Sequence, residues 1–279
     1  MIAVAPAASF AAVPVANARM YSATPEVREA WKVLLRWVLS RADLAWDVID
    51  HDAPAPLSVL WARDDLGLAM MCGLPYAQRE VTPTLVAAPV PSPSRYGGAP
   101  VYFSDIVVRA DASFKTLEDT FGGTVGYTLA DSMSGGVAFA NHLAPYRARE
   151  GTRLYTKAVG NLIHARGVIE ALVDGRIDVG PLDSYYHDLL RRNEPLLAAQ
   201  VRVVASTAAM PIPPLVATAA LDTGELKRLR EALADVAAAA ELHPVRECLL
   251  LAGFVSVDPS TYDVLAATAR RPVSSFEEF

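Results

Sequence analysis

The sequence predicts an α/β fold in two lobes, each a mostly parallel sheet flanked by helices, with a ligand cleft between them. Three observations carry this expectation. Short apolar runs alternate with helix-length segments through most of the chain, the pattern of sheets built from strand–helix units. Two proline-rich breaks, residues 89–100 and Met210-Pro-Ile-Pro-Pro, divide that series. The three helical segments that close the chain bring no obvious strand of their own, so they have to pack on a sheet built earlier.

The elements follow in order. Thr24 can cap a helix whose first turn takes Pro25, and Val27, Ala30, Trp31, Leu34, Leu35, Val38 and Leu39 then fall on one face. Apolar runs at 66–71, 85–88, 102–108, 125–129, 154–159, 177–182 and 201–205 are predicted strands, with helices at 137–143, 166–173 and 185–199 between several of them. Residues 89–100 are expected to be a surface excursion. After the second break come a run at 215–219 and helices at about 224–241, 244–252 and 260–271. Returning the chain to the first sheet gives lobe 1 from residues 1–103 plus 208–279 and lobe 2 from residues 104–207, with crossovers near 103–108 and 204–216. No internal repeat is present.

The chain has 279 residues, 52% hydrophobic and 20% charged, which is enough apolar material for a substantial core. A net charge of -6 argues against a surface that neutralises nucleic acid or an acidic bilayer. Membrane insertion is not expected, because the apolar opening is broken by Pro6, Ser9 and Pro14. That opening contains an Ala-x-Ala-like sequence at Ala16-Asn17-Ala18, yet the first basic residue is Arg19, so no positively charged segment precedes it. It is read as the first strand and not as a leader. Cys72 and Cys248 have no metal-ligand spacing; free thiols are the plainer reading and a disulfide the alternative.

Chemistry concentrates after the strand at 125–129. There Asp131-Ser-Met-Ser-Gly-Gly breaks the strand and opens a helix, placing the Ser132 and Ser134 hydroxyls and the Gly135 amide at a positive helix terminus suited to an oxyanion. Simple helix capping by serine explains the same residues about as well. A second strand ends at Asp183, followed by Ser184, Tyr185 and Tyr186, where open α/β sheets place ligands; capping of the next helix is the plainer reading. His164 and Arg166 open another helix, where a cation gains nothing from the dipole and an anion would compensate it; plain exposure to solvent is the strong alternative. No nucleophile-elbow, zinc-protease, P-loop or dinucleotide motif is present. Asp50-His51-Asp52 reads as a solvated turn, and no cofactor or metal is called for.

Taken in order, Arg19-Met-Tyr-Ser-Ala-Thr-Pro-Glu, Cys72-Gly-Leu-Pro-Tyr, Tyr102-Phe-Ser-Asp-Ile-Val-Val-Arg-Ala-Asp, Thr116-Leu-Glu-Asp, Ser132-Met-Ser-Gly and Ile169-Glu-Ala-Leu-Val-Asp-Gly-Arg-Ile-Asp-Val-Gly-Pro-Leu-Asp resemble the phosphate, phosphite and phosphonate-binding proteins of ABC transporters, within the type II periplasmic-binding-protein superfamily. The resemblance spans about residues 15–250. It implies a small anionic solute gripped between lobes by the Ser-x-Ser-Gly loop, with Asp183 meeting an amine or polar group, Tyr21 and Tyr76 as aromatic contacts and Tyr185 beside them. It also implies a permease partner, a monomer and a periplasmic role, with a cytoplasmic one the alternative since no leader is read. Two positions depart from the pattern: His164 is one residue out of register with the family's Gly-Ser-His, so His164 or Arg166 takes its place, and Met133 puts a bulky apolar residue in the anion loop. An enzyme on the same fold, using Asp183 as acid or base, and a ligand sensor are the competing readings.

Overall fold

The computed structural model describes residues 13–52 and 55–279. The part of the opening strand assigned to residues 2–12 lies outside them. In chain order the described elements are β1 (Val15–Asn17), α1 (Pro25–Arg41), β2 (Asp47–Val48), α2 (Leu57–Trp61), β3 (Leu66–Met70), α3 (Gly73–Gln78), β4 (Thr84–Pro91), β5 (Val101–Tyr102), β6 (Ser104–Arg109), β7 (Thr124–Gly126), α4 (Ala138–Glu150), β8 (Lys157–Val159), α5 (Ala165–Val173), β9 (Gly180–Asp183), α6 (Ser184–Asn193), α7 (Pro195–Ala198), β10 (Val201–Ser206), β11 (Met210–Pro211), β12 (Leu215–Ala217), α8 (Thr223–Asp235), α9 (His243–Leu249), β13 (Leu251–Val255) and α10 (Asp263–Ala269).

Helix α1 forms as its sequence dictates. Thr24 Oγ1 accepts from the Val27 amide, Pro25 occupies the first turn, and the seven apolar residues of the predicted face are all buried. Beneath it lies a six-stranded sheet in the order β13-β4-β12-β3-β1-β2. A second sheet runs β10-β6-β9, and the parallel pair β7-β8 joins β9 through a bridge between Val125 and Val179. The fold is the two-lobed α/β arrangement that the sequence predicts.

The strand directions are more mixed than simple alternation implies. β12 is antiparallel to both β3 and β4, β13 to β4, and β6 to both β9 and β10, while β1, β2 and β3 are parallel. The reason is topological. A strand that feeds a loop into the cleft runs toward it, whereas β6 and β12 enter their sheets from the crossovers and run away from it. The crossovers hold each other: β5 pairs with β11, the Ser104 amide donates to Thr207 Oγ1 at 2.9 Å, and the Thr207 amide returns to the Ser104 carbonyl at 3.0 Å.

Three further expectations are corrected. Residues 89–91 are not part of an excursion but continue β4, where Pro89 and Pro91 pair with β13 beyond the reach of β12; one side of β4 is free there, so the missing amides cost no ladder bond. The segment 250–252 is not helical: α9 stops at Leu250, which takes φ 47°, and β13 begins. Finally, the chain after α10 does not belong with lobe 1. Phe276 and Phe279 are buried in the second lobe's core beside Phe139, Leu143 and Val179, with Phe276 stacked on Tyr127 at 4.3 Å.

Candidate functional site

The loops after β1, β3, β7 and β9 converge on one cavity of about 890 Å³. Its lobe 2 wall is the helix start that follows β7. Ser132 caps it, its Oγ accepting from the Gly135 amide at 3.3 Å, and a π-helical turn at Met133–Val137 runs on into α4. The two glycines are required by contact: a Cβ on Gly135 would lie 1.7 Å from Thr128 Oγ1, and one on Gly136 would lie 2.3 Å from the Leu129 carbonyl oxygen. The helix start is thereby pressed against the strand end. Ser104 Oγ donates to the Ser134 carbonyl at 2.6 Å and ties this turn to the first crossover. The amides of Met133 and Ser134 open the helix, where no preceding turn offers them a carbonyl.

On the same lobe stands Asp183 at the end of β9. Its Oδ1 accepts from the Tyr185 and Tyr186 amides, both at 3.0 Å, so it does cap α6; its Oδ2 accepts from the Tyr21 hydroxyl across the cleft at 3.2 Å. Burial pushes the Asp183 carboxyl up to about 7, against the opposing pull of those two amides and Tyr21. Cys72 lines the same space, and burial raises its thiol to about 11; both cysteines are free.

Of the residues singled out from sequence, Tyr21, Ser132, Ser134, Gly135, His164, Arg166 and Asp183 line the cavity. Three do not. Met133 is fully buried beneath the turn, so it does not obstruct the anion loop. Tyr185 turns into the core, its hydroxyl donating to the Leu249 carbonyl at 2.6 Å and its ring meeting Tyr21 edge-on. Tyr76 packs edge-on against Tyr262, 5.1 Å away.

His164 caps α5, Nδ1 accepting from the Gly167 amide at 3.0 Å, and lines the cavity. The compensation expected for a cation here is internal: Arg166 grips Glu194 at 2.5 and 2.9 Å and donates to the Ala23 carbonyl of the other lobe at 3.3 Å. Sequence reasoning missed Arg19, Arg79, Thr128 and Asp131, which also line the cavity. Among the described residues neither Arg19 nor Arg79 has a carboxylate within salt-bridge distance; they donate to the carbonyls of Ala55 and Trp61. The available signal for Arg19 was its place directly after the first strand, two residues before Tyr21.

No group of three or more His, Cys, Asp or Glu side chains among the described residues is arranged for a metal, and no described helix is long and apolar enough to cross a membrane. Helix-terminus donors and a capped acid stand side by side on one lobe, and Tyr21 meets that acid from the other. Residues 22–262 match the family model of the phosphonate ABC transporter periplasmic substrate-binding protein.

The chain belongs to that family.

Solved structures agree on the fold of this phosphonate-binding family member. A binding protein component of an ABC phosphonate transporter from Pseudomonas aeruginosa superposes with a TM-score of 0.73 at 18% identity, over 91% of this chain and 85% of that one. PhnD1 from Prochlorococcus marinus, in complex with methylphosphonate, gives 0.68 at 13% identity over 92% and 97%. A Xanthomonas citri protein bound to ATP gives 0.59 at 20% over 93% and 98%. No curated protein matches. Like its family, the chain is a substrate-binding protein and not an enzyme.

Proposed function

We propose that this protein captures a phosphonate-like oxyanion at the turn 132–135 and delivers it, as a periplasmic monomer, to an ABC permease. The observation that carries the reading is the convergence of Ser132, Ser134 and the opening amides of one helix on a cavity that Asp183 of the same lobe and Tyr21 of the other also line. Hydroxyls and helix-terminus amides favour an anion without any covalent step. Asp183 takes the ligand's amine or polar end, as the family resemblance implies; with a carboxyl near neutrality it donates to a neutral acceptor when protonated and pairs with an ammonium when ionised. His164 lines the same cavity. Methylphosphonate in PhnD1 and ATP in the Xanthomonas protein are both phosphorus oxyanions, in keeping with this assignment.

The paired crossovers are the hinge in this reading. Residues 13–52, 55–103 and 208–271 move as one lobe, and residues 104–207 with the C-terminal segment as the other.

The test is the double variant Ser132→Ala/Ser134→Ala, titrated with methylphosphonate by calorimetry. Affinity is expected to fall at least tenfold, while loss of one cap lowers the melting temperature by only a few degrees, since such a cap contributes about 1 kcal/mol. Unchanged affinity removes the anion turn from the site.

A further inference from the structure

Among the described residues, two arginines on the lobe 1 wall of the cleft have no ion-pair partner. Four cations of that lobe line the cavity, Arg19, Arg28, Lys32 and Arg79, beside two carboxylates, Asp50 and Asp52. Both carboxylates are taken, Asp52 by Arg28 at 2.6 Å and Asp50 by Lys32 at 2.7 Å. Arg19 and Arg79 are left over. Each is half-buried, and each guanidinium makes one hydrogen bond among the described residues, Arg19 to the Ala55 carbonyl and Arg79 to the Trp61 carbonyl at 2.8 Å. A guanidinium carries five N–H donors in a planar fork, so most of both forks has no protein partner. Burial pulls the Arg19 guanidinium below its ordinary range, and Asp52 offsets this only in part. This positive surplus stands in a protein whose net charge is -6.

The serine turn lines the same cavity from lobe 2. A phosphoryl head seated on that turn leaves the rest of the ligand to lobe 1. An arginine fork binds a carboxylate or a phosphoryl group through two parallel hydrogen bonds, whereas an uncharged tail closing over it strips its donors of water and returns nothing. One protein group competes for the two forks. Asp131, exposed beside the serine turn, also lines the cavity and has no ion-pair partner among the described residues. Arginines that closed on Asp131 would strengthen every ligand alike, because they would act on the fraction of protein in the closed state.

Resting on the anion turn proposed above, we infer that the natural ligand carries two anionic groups: a phosphoryl head at Ser132 and Ser134, and a carboxylate or second phosphoryl group held from lobe 1 by Arg19 and Arg79. The serines accept the head that the class shares, and the two arginines determine which member of the class is preferred.

Calorimetric titration of the full chain with methylphosphonate, phosphonoacetate, phosphonopropionate and methylenediphosphonate tests this. At least one of the three ligands with two anionic groups is expected to bind about tenfold or more tightly than methylphosphonate, the effect of one added charge-assisted hydrogen bond. Whether a phosphonocarboxylate or the diphosphonate leads distinguishes carboxylate from phosphoryl. The double variant Arg19→Gln/Arg79→Gln keeps a donor for the Ala55 and Trp61 carbonyls and removes both charges, and it is expected to bring the ratio to about one. A wild-type ratio that stays below tenfold for all three ligands overturns the inference and leaves the proposed function standing. So does a double variant that weakens methylphosphonate and the preferred ligand by the same factor, the result expected if the arginines close on Asp131. Binding of none of the four overturns both. Where the double variant fails to fold, Arg19→Gln and Arg79→Gln singly take its place, and a ratio that neither lowers overturns the inference.

Discussion

Asp183 carries the most consequential charge in the cleft. Its carboxyl is raised to about 7 chiefly by burial, and a buried acid held above its unfolded value costs stability once it has to ionise. The contribution of the protonated form is therefore fully present below about pH 4 and is lost as pH rises through 7, a change on the order of 4 kcal/mol. Asp183→Asn keeps an acceptor for the Tyr185 and Tyr186 amides and removes the titration. In the unliganded protein its melting temperature is expected to gain on the wild type progressively between pH 4 and pH 7, and parallel profiles in differential scanning calorimetry would contradict the assignment. Single residues were unevenly legible in the sequence. Asp183 and Ser132 were readable because a strand end followed by a helix start leaves few places for a side chain to go. Tyr76 and Tyr185 were not, because an aromatic at a strand end looks the same whether it faces the cleft or the core. What turns them inward, Tyr262 and the Leu249 carbonyl, lies far along the chain.

Among the elements, the two crossovers are supported from behind the cleft by a polar network. Asp105, the second residue of β6, is fully buried and takes Arg95 at 2.5 Å, His187 at 2.9 Å and Ser206 of the other crossover at 3.0 Å. Arg95 continues to Asp188, which also accepts from Tyr96. Burial opposes ionisation of Asp105, yet His187 and Arg95 outweigh it and hold the carboxyl below its ordinary value. Asp105→Ala leaves Arg95 without one of its two carboxylates and His187 without its partner, so a loss of about 3 to 5 kcal/mol in urea unfolding is expected; a loss below 1 kcal/mol would mean that the network does not brace the crossovers. The sequence showed where the crossovers lie, because proline clusters mark a change of direction, but not what braces them. Arg95 and Tyr96 sit in the segment taken for a surface excursion, and only the fold brings them to α6. Strand β13 was missed for a related reason: the short apolar run at 249–255 has no decisive period, and only the left-handed turn at Leu250 and pairing with β4 decide its form.

At the scale of the whole molecule, function turns on the balance between open and closed lobes. Arg166 was expected to meet the ligand. In the structure it reaches from the start of α5 across the cleft to the Ala23 carbonyl, steadied by Glu194, whose ion pair keeps the guanidinium charged and oriented. A residue that favours closure without touching ligand acts on every ligand alike, because the apparent dissociation constant scales inversely with the fraction of protein in the competent state. This partly exposed, charge-assisted bond contributes on the order of 1 kcal/mol. Arg166→Ala is therefore expected to weaken phosphate, methylphosphonate and larger phosphorus oxyanions by a common factor of about five. Small-angle scattering should show the variant less compact than the wild type before ligand and equally compact at saturation. A factor that grows with ligand charge, with unchanged scattering, would return Arg166 to the binding surface. The common factor would separate two tasks that the sequence presents as one: selection of the anion by the serine turn, and retention of it by a latch at the start of α5.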